Sequence, residues 1–100
     1  MVKHVILWQL KDEIQGEERA VVLDDAKKNL EALMGKIDGL LDMKLNTVPL
    51  DSSNADMMLD SSFTTEEALK GYQVHPDHVF VADTYIRPFT KARLCLDFEE

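Results

Sequence analysis

The stretch Val2-Lys3-His4-Val5-Ile6-Leu7-Trp8-Gln9-Leu10 decides the fold of this 100-residue chain. Four apolar residues follow one another from Val5 to Trp8, which is the pattern of a β-strand with both faces covered. Side chains alternate along a strand, so the first face carries His4, Ile6, Trp8 and Leu10, and the second carries Val5 and Leu7. Because one layer of helices covers only one face of a sheet, this strand predicts a second covering layer, which another chain could supply.

Two further stretches have helical patterns. Apolar residues spaced three to four apart predict a helix over residues 17–34. Residues 64–88 predict two helical pieces separated by Pro76, with Thr64 as the N-cap and Glu67 as its capping-box partner.

The remaining segments predict three more strands, over residues 39–48, 55–63 and 92–98. In the second strand, one face is predicted to carry Leu41, Met43 and Leu45. In the last strand, Leu94, Leu96 and Phe98 alternate with Arg93, Cys95 and Asp97. Apolar residues therefore fall on more than one face of the predicted sheet.

The order strand, helix, strand, strand, helix pair, strand is the βαββαβ pattern of the ferredoxin-like fold. The fold class is therefore α+β, with one antiparallel sheet, helices on one face, and a single domain over residues 1–100. The helix-free face keeps apolar side chains that nothing in this chain covers. We therefore predict a homodimer formed through the sheet faces.

Composition excludes several partners and suggests a compartment. The net charge of −8, with 19 acidic against 11 basic residues, argues against nucleic-acid binding, which needs clustered Lys and Arg. The apolar run of the first strand is too short for a signal peptide or a membrane span. Cys95 is the only cysteine, which fits the reducing cytoplasm, and its position in a strand predicts a small buried hydrophobe.

The segment Tyr72-Gln73-Val74-His75-Pro76-Asp77-His78 is the candidate for chemistry. A residue before proline avoids the α conformation, so His75 should end one helix and Pro76 should begin the next. His78 with Tyr72 has the chemistry for proton transfer, because imidazole titrates near neutrality and a phenol can donate to a substrate oxygen. The alternative is that both side chains only fix this joint through hydrogen bonds.

The other candidate site residues were considered in the same way. His4, Trp8, His75 and Phe80 are predicted ligand-binding residues, although an apolar strand face or a helix joint would also explain them. His75 and His78 with Asp77 or Asp83 lack a defined metal-ligand spacing, so neither a metal nor a cofactor is predicted. No phosphate-binding loop or nucleophile elbow is present in the sequence.

Several of these motifs together resemble one family. They are Lys3-His4-Val5-Ile6-Leu7-Trp8-Gln9-Leu10-Lys11, Ile37-Asp38-Gly39-Leu40, Phe63-Thr64-Thr65-Glu66-Glu67-Ala68-Leu69, the segment from Tyr72 to His78, and Asp97. The chain resembles the stress-responsive α/β-barrel (Dabb) family over its whole length, with Asp38 where the family often has proline. The resemblance implies a dimeric α+β barrel, and most members have no assigned activity.

The resemblance also implies candidate catalytic positions, because one enzyme of the family, olivetolic acid cyclase, has matching residues. Its catalytic tyrosine and histidine match Tyr72 and His78, and its opening-strand histidine matches His4. A further pocket histidine of that enzyme falls near Met57 here, so the resemblance does not imply the same substrate.

Two functions are therefore predicted. The first is a small-molecule-binding or stress-associated module without chemistry of its own. The second is a cyclase- or lyase-type enzyme that acts on a small apolar, oxygenated substrate, with His78 and Tyr72 as acid–base catalysts. A cavity lined by both side chains would distinguish the second from the first, whereas a His78 with both ring nitrogens bonded to protein would exclude it.

Overall fold

A computed structural model covers residues 1–100 and contains four strands and a series of helical segments. The elements are β1 (Val2–Leu10), α1 (Gly16–Glu31), β2 (Leu40–Asn46), β3 (Met57–Phe63), α2 (Glu66–Val74), α3 (Pro76–Val81), a π-helical turn (Ala82–Ile86), a 3-10 turn (Arg87–Phe89) and β4 (Thr90–Glu99). This order confirms the predicted βαββαβ pattern of the ferredoxin-like fold. No helix is both long and apolar enough to span a membrane.

The four strands form one antiparallel sheet in the order β2-β3-β1-β4. The opening strand β1 is therefore central, with β3 on one side and β4 on the other. Its register places His4 opposite Asp97 of β4 and Trp8 opposite Arg93 of β4. Directly paired residues point to the same face, so these four side chains share the face on which the helices pack.

The core lies between this face of the sheet and the helices. Its largest fully buried side chains are Tyr72, Phe63, Leu30, Met43, Leu45, Leu59, His4 and Ser61. The opposite face is apolar but open within one chain, because Leu94 and Leu96 are 72% and 64% exposed. Leu94 pairs with Leu7 and Leu96 pairs with Val5, so these side chains form one continuous surface, which we call the open sheet face.

Three local predictions are wrong. The N-cap of α2 is Thr65, whose Oγ1 accepts a hydrogen bond from the backbone N–H of Ala68 at 3.1 Å, so Thr64 and Glu67 form no capping box. Leu41 does not share the buried face with Met43, because a register shift between Leu40 and Asp42 leaves Leu41 exposed. Helix α1 ends at Glu31, earlier than predicted.

The prediction for Cys95 is also wrong, because its side chain is exposed and is not part of the core. It lies on the helix side of β4, the edge strand of the sheet, where the helical layer does not cover it. Its thiol donates a weak hydrogen bond to Asp97 at 3.4 Å. Burial raises the pKa of the Cys95 thiol, and Asp97 raises it further, which keeps the sulfur protonated.

Candidate functional site

A cavity of about 400 Å³ lies on the helix side of the sheet, beneath the helical segments that follow residue 71. Its volume is within the usual range for small-molecule sites. The lining residues are His4, Ile6, Trp8, Leu30, Leu59, Tyr72, Gln73, His78, Ala82, Ile86, Arg87, Thr90 and Arg93. Four of the predicted site residues therefore meet at one cavity, although they come from β1, α2 and α3.

His4 is held in the sheet by strand alternation and by a carboxylate. Its side chain points to the helix side of β1 and is only 1% exposed. Its Nδ1–H donates to the Asp97 carboxylate, its direct neighbour across the β1–β4 pair. This bond fixes the ring and leaves Nε2 as the nitrogen available to a ligand in the cavity.

The helix joint forms as the proline predicts. His75 has an extended backbone, with φ −64° and ψ 133°, and ends α2. Its Nδ1 accepts a hydrogen bond from the backbone N–H of Asp77 at 3.1 Å, so His75 is also the N-cap of α3, which begins at Pro76. The joint turns the chain so that Tyr72, one turn before it, and His78, one turn after it, come together.

The rings of Tyr72 and His78 stack with centroids 4.1 Å apart and an interplanar angle of 35°. Tyr72 is 1% exposed and packs against Phe63 at 5.0 Å and His4 at 6.1 Å, in both cases between ring centroids. The rings of His4, Tyr72 and His78 are therefore neighbours in the cavity wall. A ligand that reaches one of them would meet the others.

His78 is bonded to protein through one ring nitrogen. Its Nδ1–H donates to the carbonyl oxygen of Gln73 at 3.2 Å, which leaves Nε2 as the nitrogen available to a ligand. Bonding of both His78 ring nitrogens to protein would have excluded the enzymatic function, and this condition is not met.

Burial sets the protonation of both stacked rings. It lowers the pKa of His78, the bond to the Gln73 carbonyl opposes this shift, and the nearby charges of Arg87 and Arg93 add to it. Burial raises the pKa of Tyr72 well above its usual value. At neutral pH the cavity therefore contains a neutral imidazole that can accept a proton and a phenol that can donate a hydrogen bond.

Two of the predicted ligand-binding residues do not line this cavity. His75 lies beside a separate surface depression formed with residues such as Gly39 and Thr64. Phe80 points outward, is 62% exposed, and contacts Tyr85 edge to face at 6.4 Å between ring centroids. The structure thus brings together His4, Trp8, Tyr72 and His78, but not these two residues.

Sequence reasoning missed the arginines of the cavity. Arg87 belongs to the 3-10 turn and Arg93 to β4, and both line the cavity. The alternation of β4 does contain a signal, because it places Arg93 on the same face as Asp97. A cation on the helix side of a sheet needs a partner or solvent, which would have marked Arg93 for attention.

The histidines of the joint do not gather with Asp77 or Asp83. The structure instead groups three other possible metal ligands, His4, Cys95 and Asp97, whose donor atoms lie within 4.8 Å of one another. These three atoms already form a hydrogen-bonded cluster, since His4 and the Cys95 thiol both donate to Asp97. A fourth ligand, which structural zinc sites need, is not part of the group.

The fold and the cavity define an α+β protein of the ferredoxin-like class. The sequence profile of the Stress responsive A/B Barrel Domain, Dabb, matches residues 2–100, and the chain belongs to this family. This confirms the resemblance drawn from the motifs of β1, α2 and the helix joint. A search of curated proteins found no match.

Solved structures agree with this assignment. A dimeric protein of unknown function and ferredoxin-like fold from Bacteroides fragilis is 29% identical, with a TM-score of 0.92, over 99% of this chain and 95% of the other. The protein At3g17210 from Arabidopsis thaliana is 24% identical, with a TM-score of 0.79, over 100% and 95%. A Dabb family protein from Mesorhizobium loti is 24% identical, with a TM-score of 0.76, over 99% and 95%.

Proposed function

We propose that this protein is a cytoplasmic, single-domain homodimer whose cavity binds a small apolar, oxygenated molecule. The observation that carries the proposal is the meeting of His4, Tyr72 and His78 at one cavity that six apolar side chains also line. Apolar walls with a few convergent polar groups are typical of small-molecule sites. The apolar walls would bind the body of the ligand, and the three rings would bind its oxygen atoms.

The ligand proposal is tested by native mass spectrometry of the purified protein, followed by small-molecule analysis of the denatured sample. We expect a co-purified molecule that is lost from Trp8→Ala, because this substitution removes an apolar wall of the cavity. Phe80→Ala is the matched control, since Phe80 is an aromatic residue outside the cavity. Equal retention of the molecule by both variants would place it elsewhere.

The dimer would form through the open sheet face. Exposed Leu94, Leu96 and Phe98 support this proposal, because a contiguous apolar surface on a small domain is costly in water. The Bacteroides fragilis protein is described as dimeric. Burial of this face against a second copy would cover the side of β1 that the helices leave open.

Sedimentation velocity tests the proposed interface. The unmodified protein is expected to sediment as a dimer at micromolar concentration, and Leu96→Glu is expected to convert it into a monomer by placing a charge at the centre of the interface. Leu50→Glu makes the same change at an exposed loop leucine and should leave the dimer intact. A dimer that tolerates Leu96→Glu would contradict the interface.

A second candidate function is acid–base catalysis in the same cavity. It is favoured by one observation: His78 Nδ1 is tied to the Gln73 carbonyl, so the basic Nε2 stays available beside the Tyr72 ring. This pair could remove a proton next to a carbonyl group while the phenol stabilises the developing oxyanion.

Deuterium exchange provides a test without knowledge of the substrate. In D₂O, the protein is expected to accelerate deuterium incorporation next to the carbonyls of an apolar diketone, and His78→Gln should abolish the acceleration. His75→Gln is the control, because His75 lies outside the cavity. Incorporation no faster than in buffer would leave binding as the function of the cavity.

A further inference from the structure

The charge of the cavity is opposite to that of the chain. Acidic residues outnumber basic ones by 19 to 11. Among the residues that line the cavity, however, there are two arginines, Arg87 and Arg93, and no aspartate or glutamate. Asp97, which accepts the hydrogen bond from His4, does not line the cavity. A local positive field in an acidic protein favours an anionic ligand.

Only one of the two arginines is free to bind that anion. Arg87 forms an ion pair with Asp83, one turn earlier in the chain. The third arginine of the chain, Arg19, likewise pairs with Asp56. Arg93 forms no salt bridge, although its position opposite Trp8 on β1 brings it to the cavity wall. Arg93 is therefore the one arginine of the chain that has no carboxylate partner.

We infer that the ligand of this cavity is an amphipathic molecule with one carboxylate, and that Arg93 binds the carboxylate while Trp8 and its apolar neighbours bind the rest. The inference rests on the proposed ligand-binding function and specifies its ligand. A guanidinium presents two parallel N–H donors that match a carboxylate, and such charge-assisted pairs are stronger than neutral hydrogen bonds.

The remaining polar groups favour a single negative charge. His78 uses its Nδ1–H within the protein, and burial lowers its pKa, so this neutral ring offers Nε2 to the cavity as an acceptor. An acceptor repels anionic oxygen, so the His78 ring does not assist Arg93. A phosphate dianion would need more donors than one free guanidinium, whereas a carboxylate needs no more than that.

Calorimetric titration of the full chain with decanoate tests this inference, with decanol as a neutral probe of the same length. We expect decanoate to bind at least about tenfold more tightly than decanol, which is the usual advantage of a charge-assisted hydrogen bond. Arg93→Gln should remove that advantage and Arg93→Lys should restore part of it. Lys28→Gln, which removes the same charge from an exposed part of α1, should change nothing.

The outcomes separate the inference from the function on which it rests. Equal binding of decanoate and decanol, or decanoate binding that Arg93→Gln does not weaken, would overturn the role of Arg93 and leave the apolar site in place. Failure of both probes to bind would overturn the ligand-binding function together with the inference. Thermal unfolding of each variant establishes that it is folded, which is expected because Arg93 is exposed.

Discussion

Both histidines of the cavity are oriented by the same device. Each donates Nδ1–H to an acceptor of the protein, an Asp97 carboxylate for His4 and a Gln73 carbonyl for His78. A bond of this kind selects one tautomer and orients the ring, so that Nε2 is the nitrogen offered to the cavity. Burial makes the charged form of His78 costly.

The stability of the protein is expected to fall as the pH drops below about 6.5, the pKa of an unperturbed histidine. The pKa of His78 is lowered in the folded state by burial and by the nearby charges of Arg87 and Arg93. Between the pKa values of His78 in the folded and the unfolded chain, the unfolded chain binds more protons. The contribution of neutral His78 to stability is therefore complete above this pH window and is lost as the pH falls through it. Urea unfolding as a function of pH measures the effect.

The variant His78→Gln provides the comparison for this pH dependence, because carboxylates elsewhere titrate in both proteins. The variant should lose less stability than the unmodified protein between about pH 6.5 and 5. Identical pH profiles would show that protonation of His78 is not coupled to unfolding.

At the scale of elements, two contacts fix the helices on the sheet. The Glu31 carboxylate, in the last turn of α1, accepts hydrogen bonds from Lys27 at 2.8 Å and from the backbone N–H of Leu45 in β2 at 2.9 Å. Gly39, just before β2, lies against α2, and a Cβ there would overlap the Cβ of Ala68. These contacts hold the helices against the face that carries the cavity.

Gly39→Ala is expected to destabilise the protein by about 2 kcal/mol or more. Its φ of +81° is unfavourable for a residue with a side chain, and the new methyl group would overlap Ala68 in α2. Gly71→Ala is the control, because Gly71 lies in a helix with open space around it and should tolerate or benefit from the change. Chemical denaturation of both variants measures the difference, and equal stabilities would contradict the close packing at Gly39.

The whole molecule combines one covered and one open face of a single sheet. The helix-side face encloses the cavity and most of the core. The open sheet face presents Leu7, Leu94 and Leu96, which are exposed within one chain. The cavity and the proposed interface would therefore lie on opposite sides of β1, so association of two chains through the open sheet face would leave the cavity accessible.

If two chains associate through the open sheet face, the midpoint of thermal unfolding should rise with protein concentration, because mass action stabilises a folded dimer. The expected measurement is a scan over at least a hundredfold range of concentration. Leu96→Glu should lower the midpoint and remove its concentration dependence. A midpoint that stays constant for the unmodified protein would indicate that the chain is stable alone.

Local patterns determined much of this architecture. Period-two alternation is a property of a single strand, so the sequence alone placed His4 on the same face as Trp8 and predicted a sheet with two apolar faces. The steric effect of Pro76 acts on its immediate neighbour, so the break at His75 was equally predictable. The motifs around these two features were sufficient to identify the family.

The tertiary structure decided which residues meet. The N-cap of α2 is Thr65 instead of Thr64, and the register shift beside Leu41 moves that side chain out of the core. Whether Phe80 faces the cavity or water depends on how a short helix is rotated against the sheet. Likewise, Arg93 lines the cavity only because β4 pairs with β1 in a register that places it opposite Trp8. These outcomes are set by contacts between residues far apart in the chain, which no local pattern contains.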